Sequence, residues 1–217
     1  MNSHIFVTQT PGGNIKYECM VKTISSDELL HLEDKQRFDY LCKTGCINYN
    51  MKWSCPPFAP AYSSIVRSYK YILIVLLKVQ LAQFSYIKNN YLKIKAANSI
   101  LKSRLDRALR ITKKCNEFYI STGSCRLCKP CKRKMGEPCA LPVERAYSFE
   151  ALGINVSALT LDVFHTELLW YQKGIVPQYT CVVGGLVTNG EISIAELYGN
   201  LTNKDNVKGE IEAQVVK

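Results

Sequence analysis

Eleven residues from Tyr69 to Val79, YKYILIVLLKV, are apolar almost throughout and bounded by polar positions. Such a run predicts a strand covered on both faces and therefore central in a sheet. Tyr179 to Val187, YTCVVGGLV, predicts a second strong strand, in which Gly184-Gly185 reads as close backbone contact. Ile15 to Ile24 is a weaker strand candidate, carried by Tyr17, Met20, Val21 and Ile24. Asn116 to Ser121 is a short one that ends at Thr122-Gly123.

Between these runs the apolar period lengthens to that of a helix. Ile87, Tyr91, Ile94, Leu101, Leu105 and Ala108 mark one from beyond Gln83 to about Lys114. Leu161, Phe164, Leu168 and Leu169 mark another over Ala158 to Tyr171. Ser25-Ser26-Asp27-Glu28 has the form of a capping box, predicting a helix that runs to about Leu41 and delivers its last turn at Cys42. Ser148 is placed to cap a turn containing Glu150 and Ala151. The expectation is an α/β protein with a small mixed β-sheet flanked by helices and cysteine-rich metal-binding loops at one edge. One domain over residues 1–217 is expected, with a mobile tail from about Asn203.

At 217 residues the chain can bury an ordinary core without staples, so small size does not explain its 10 cysteines. The N-terminal MNSHIFVTQTPGG lacks the basic-then-apolar pattern of a secretory signal, which points to a reducing cytoplasm and to thiols as metal ligands. The longest apolar run, Tyr71 to Leu77, is far short of the ~20 residues that span a bilayer.

Four of the cysteines, Cys125, Cys128, Cys131 and Cys139, follow the spacing C-x2-C-x2-C-x7-C within GSCRLCKPCKRKMGEPCALP. Structural zinc usually takes two separated ligand pairs, whereas three ligands at successive steps of three match ferredoxin-type ligation of a 4Fe-4S cluster. Zinc and idle or disulfide-bonded thiols are the competing readings. A second group, Cys42, Cys46 and Cys55, lies in a loop where Gly45 stops a helix and Pro56-Pro57 fixes an extended exit. A Cys-Pro step also occurs in ferredoxin ligation, where that cysteine can serve a different cluster from its sequence neighbours, so Cys55 can belong to either group. Cys19 and Cys115 are further candidates for an eighth ligand. Cys181 reads as a small buried hydrophobe, His165 as a surface or packing residue, and Trp53 as a side chain that keeps water off the site.

Net charge is +10, from 28 Lys and Arg against 18 Asp and Glu. Nine basic residues fall between Tyr86 and Lys114 with only Asp106 against them, as expected of a solvated helix face. Arg126, Lys129, Lys132, Arg133 and Lys134 lie inside the cysteine loop, where they can balance an anionic cluster or meet an acidic redox partner or a small anionic substrate. Aromatic and basic residues are not interleaved as nucleic-acid stacking platforms require.

The combination of Cys42-x3-Cys46, WSCPP at Trp53 to Pro57, GSCRLC-x2-C at Gly123 to Cys131, PC-x2-P at Pro138 to Pro142, and SFEALGINV at Ser148 to Val156 resembles a widespread family of predicted metal-binding proteins of anaerobic bacteria and archaea. The likeness spans roughly residues 35–187. It implies an iron-sulfur site at the seven named cysteines and no particular reaction. Family members typically carry a basic residue and a histidine after the last cysteine; this chain has Ala140 and Leu141, so no role passes to that histidine.

Three functions follow from these residues. One or two 4Fe-4S clusters can serve electron transfer or a redox accessory role. A three-thiolate cluster on Cys42, Cys46 and Cys55 can leave an iron open as a Lewis acid, giving a lyase or a desulfidase. A structural zinc module is the third. No Ser-His-Asp arrangement, phosphate-cradling glycine loop or dinucleotide fingerprint is present.

Overall fold

The computed structural model describes residues 3–172 and 175–202; the tail from Asn203 lies outside them. Six strands form one sheet: β1 (Ser3–Thr10), β2 (Gly13–Ser25), β3 (Tyr71–Gln80), β4 (Phe118–Ser121), β5 (Tyr147–Ser148) and β6 (Tyr179–Thr188). Their order is β1-β2-β3-β6-β4-β5, antiparallel throughout except for the β4–β5 pair. The helices are α1 (Lys35–Gly45), α2 (Tyr62–Val66), α3 (Asn90–Thr112), α4 (Val156–Phe164) and α5 (Ile194–Thr202). The fold is mixed α/β, as the pattern of apolar runs predicts.

β3 is buried on both faces. Leu73, Val75, Leu77 and Val79 meet Ala97, Leu101, Leu105 and Ala108 of α3 on one side. Ile72, Ile74 and Leu76 meet Leu29, Tyr62, Phe149, Leu152 and Leu159 on the other. The period of two along the strand thus feeds two cores. β6 lies between β3 and β4, and Gly184 lets α3 and β4 come close to it. A Cβ there would stand 2.7 Å from Leu109 Cδ1 and 2.9 Å from the Ile120 carbonyl oxygen.

Several boundaries differ from those the periodicity suggests. Ser3–Thr10, read only as a segment lacking a leader pattern, is a strand paired with β2. The helix expected from Ser25 to Leu41 is two pieces. The Glu28 carboxylate accepts from the Ser25 amide at 2.8 Å, as the capping box requires, but the turn that follows is 3-10 and ends at Leu32. Glu33 is then drawn aside to accept from the Ser63 amide and hydroxyl, and Asp34 starts a new helix by accepting from the Arg37 amide. A 3-10 turn over Leu81–Phe84 ends just after Gln83, no helix follows directly, and α3 begins only where Asn89 caps it by accepting from the Leu92 amide. The helix expected over Ala158 to Tyr171 stops at Phe164, because His165 adopts a left-handed conformation with φ of 50°.

These rearrangements position the cysteines. α1 carries Cys42 in its last turn and Cys46 at its C-terminal cap. Gly153 holds the start of that helix against the loop after β5: its φ is +92°, its carbonyl accepts from the Asp34 amide at 2.8 Å, and a Cβ would stand 2.8 Å from the Lys35 Cα. The long cysteine loop leaves the end of β4 and returns to the edge strand β5.

Candidate metal centre

The long loop has little regular structure beyond a short 3-10 turn over Lys132–Met135, closed by Gly136 in the left-handed region. Its four thiols, Cys125, Cys128, Cys131 and Cys139, line a single small hollow of about 20 Å³ together with Trp53, Ser54, Leu127 and Leu141. The Cys128 thiol is pushed up, first by burial and then by Cys125, Cys139 and Cys131, with Lys132 opposing. Burial in an apolar wall and mutual repulsion of neighbouring thiolates both disfavour ionisation, and a bound cation would relieve both.

The second group stands beside the first. Cys55 is 7 % exposed, and its thiol is raised by burial, by Cys46 and by Cys125, while the Ser54 hydroxyl and Lys52 lower it. Cys42 is pushed up to about 11 by burial, then by Cys46, Cys55, Glu150 and Asp39. Cys55 thus senses cysteines of both groups, Cys46 on one side and Cys125 on the other. Cys46 itself is exposed.

Polar contacts join the two loops. Ser54 is 1 % exposed; its Oγ accepts from the Cys125 amide at 3.1 Å and lies 3.9 Å from Cys55 Sγ. Lys52 Nζ donates to Ser124 Oγ at 2.9 Å and to the Cys125 carbonyl at 3.0 Å. Trp53 Nε1 donates to the Glu137 carbonyl at 2.9 Å. Arg133 donates to Asn50 Oδ1 at 2.8 Å, and its guanidinium lies 4.6 Å from the Phe58 ring centre and 5.5 Å from that of Trp53. Trp53 thus walls the hollow, in keeping with a water-excluding role. Asp106 anchors the loop's departure point by accepting from the Thr122 amide at 2.7 Å and hydroxyl at 3.0 Å.

The other cysteines stand apart. Cys19 is fully buried on β2 in the core beneath α3, its thiol pushed up to about 12 by burial and by Glu18. Three strand spacings separate β2 from β4, about 14 Å. Cys115 is exposed before the start of β4, at the opposite end of that strand from Cys125. Cys181 is partly buried and raised to about 12, consistent with a small apolar side chain. His165 is an exposed helix cap whose amide donates to the Leu161 and Thr160 carbonyls. Lys52, Ser54 and Glu150 were not legible as site residues, although Lys52 and Ser54 lie beside Cys55; their roles come from contacts between distant loops.

Residues 26–183 match the model of a family described as predicted metal-binding proteins, DUF2284. The chain belongs to that family. No curated protein and no solved structure matches it. The matched span covers β3, β4, all seven motif cysteines and the first half of β6. An all-thiol donor set suits iron and zinc alike. Among the described residues no three Cys, His, Asp or Glu side chains are placed to hold one metal ion together. Ligands on separate corners of a cubane stand farther apart than four thiolates at ~2.3 Å from one zinc. Among the described residues no helix is long and apolar enough to cross a membrane.

Proposed function

We propose that this DUF2284 protein binds a 4Fe-4S cluster on Cys125, Cys128, Cys131 and Cys139 and acts in electron transfer or as a redox accessory protein. The observation that carries this reading is the meeting of those four thiols at one hollow walled by Trp53, Leu127 and Leu141. A cluster held there supplies one-electron chemistry at a potential set by hydrogen bonds and dryness. The chain's own contribution is the Trp53 wall, the Lys52 cation and the basic residues of the loop, which offer an acidic partner protein a docking rim.

A second reading is favoured by the environment of Cys42. Beside that thiol and its partners Cys46 and Cys55 the neighbouring acids are Glu150 and Asp39. A cluster on three cysteines there has a fourth position for a carboxylate or a substrate, which is the arrangement a cluster-dependent lyase or desulfidase uses.

The test is anaerobic purification followed by assay of iron, acid-labile sulfide and zinc per chain, with the electron paramagnetic resonance spectrum of the reduced protein. About four irons and four sulfides support one cubane and about eight of each support two. Zinc without sulfide overturns both readings and leaves a structural metal module.

A further inference from the structure

We infer that the cavity between α3, the start of the long loop and the segment after α4 is a binding site for a small organic anion, a carboxylate or phosphate on a flat apolar body. The cavity is about 480 Å³ and is lined by Lys95, Lys102, Arg126, Glu150, Trp170 and Tyr171 among others. That volume is within the range of small-molecule sites. It lies apart from the thiol hollow, and the inference stands on its walls and charges without the metal reading.

Three cations face one carboxylate. Lys95 and Lys102 are two turns apart on α3 and so share a face. Lys102 Nζ reaches over Gly123, 3.7 Å from where a Cβ would sit, and Arg126 comes from the long loop itself. None of the three appears in the ion pairs of the described residues. The nearby Asp106, which Arg126 senses, directs both carboxylate oxygens to Thr122. Glu150 is thus the acid in the cavity wall, and the balance there is positive.

The remaining surface is apolar and aromatic. Tyr91 and Tyr171 lie with ring centres 6.0 Å apart, Lys95 Nζ sits 5.9 Å from the Tyr91 ring centre, and Trp170 is 69 % exposed. Asn98 accepts from the Thr180 hydroxyl at 2.9 Å, and the charged donors of the lining are the three cations. Aromatic faces beside ammonium and guanidinium groups along one wall recognise a flat body with an anionic end. Glu150 belongs to this cavity and also neighbours Cys42, and Arg126 directly follows Cys125.

The test is isothermal titration calorimetry on the full chain as purified, with benzoate, phenyl phosphate and benzyl alcohol as probes. Saturable binding of the two anions, with benzyl alcohol weaker by about tenfold or more, is expected, since a charge-assisted hydrogen bond contributes ~1.5–3 kcal/mol. Lys102→Gln should weaken phenyl phosphate by a similar factor, while Lys134→Gln, outside the cavity, should not. If Lys102→Gln melts abnormally, the exposed Lys95→Gln decides. Equal affinity for benzyl alcohol and benzoate, unchanged affinity in both cavity variants, or no saturable binding overturns the inference. Metal content measured on the same samples separates the two proposals: anion binding without metal sinks only the metal reading, and metal without anion binding sinks only this one.

Discussion

The Ser54 hydroxyl accepts a hydrogen bond from the Cys125 amide at 3.1 Å while lying 3.9 Å from the Cys55 sulfur. One buried group thus ties the first thiol of the long loop to the last thiol of the short one, across 71 residues of sequence. The hydroxyl accepts from the amide with a lone pair and keeps its proton for sulfur, so it serves both groups at once. Charge left on Cys55 is also eased by Lys52, whose ammonium is held beside the Cys125 carbonyl.

Ser54→Ala removes that shared group from a site with almost no solvent. The Cys125 amide loses its acceptor, and a buried donor without a partner costs about 1–3 kcal/mol. The expected result is a lower urea midpoint together with faster loss of bound metal to a chelator. Ser124→Ala, which removes only one Lys52 contact, should do less. Equal midpoints and equal metal retention in Ser54→Ala and the parent chain would remove Ser54 from the site.

What the chain shows on its face and what it hides divides on physical grounds. Tyr69 to Val79 could be read as a doubly covered strand because both faces of β3 are apolar, and the cysteine spacing marked the loop that would gather at a hollow. β1 was concealed because Ile5 and Val7, 59 % and 54 % exposed, put apolar residues on the outward face, while Thr8 turns inward. The helix ends at Leu32 and Phe164 depended on tertiary partners: Glu33 reaches Ser63, and Leu168 and Leu169 turn to the cavity wall instead of continuing a helical stripe. Lys52, Ser54 and Glu150 carry ordinary side chains whose importance exists only once two distant loops meet.

Gly184→Ala tests the close approach in the sheet. The added methyl meets Leu109 Cδ1, which can move, and the Ile120 carbonyl at 2.9 Å, which is fixed by the β4–β6 ladder. Overpacking of this kind costs about 1–3 kcal/mol. Equilibrium urea unfolding of the variant should show a lower midpoint at unchanged slope. A midpoint equal to that of the parent would mean that β6 and β4 separate without strain.

Asp106 gives a pH dependence with a definite sign. Burial raises its carboxyl above the ordinary 3.8, against the opposing effect of the Thr122 hydrogen bonds and of Arg110 and Arg126. The folded state then binds the proton more tightly than the unfolded state, so this group's contribution to stability is full below 3.8 and is lost as pH rises through the folded value. Asp106→Asn keeps an acceptor for the Thr122 amide and does not titrate. Urea midpoints measured at intervals from pH 3.5 to pH 7 should fall less steeply for this variant than for the parent over the lower part of that range. A parallel pair of curves would show that Asp106 titrates normally in the fold.

The two groups of thiols make opposite forecasts for two single substitutions. Cys128 lies within the long loop, where its neighbours are Cys125, Cys131 and Cys139. Cys55 lies between the groups and senses Cys46 as well as Cys125. With two separate centres, Cys55→Ala empties the Cys42 side and leaves the signal of the long loop, while Cys128→Ala weakens the long loop and spares the other. Iron per chain should then fall by roughly half in each variant, and the two residual electron paramagnetic resonance spectra should differ. With one shared centre, either substitution removes most of the iron and the residual spectra coincide. The Ser54 bridge joins the two groups without requiring a shared ligand. On the leading proposal, a cluster held by the long loop, Cys128→Ala loses the iron signal and Cys55→Ala keeps it; unlike half-losses would add a second centre at Cys42, and coincident total loss would assign Cys55 to the long loop.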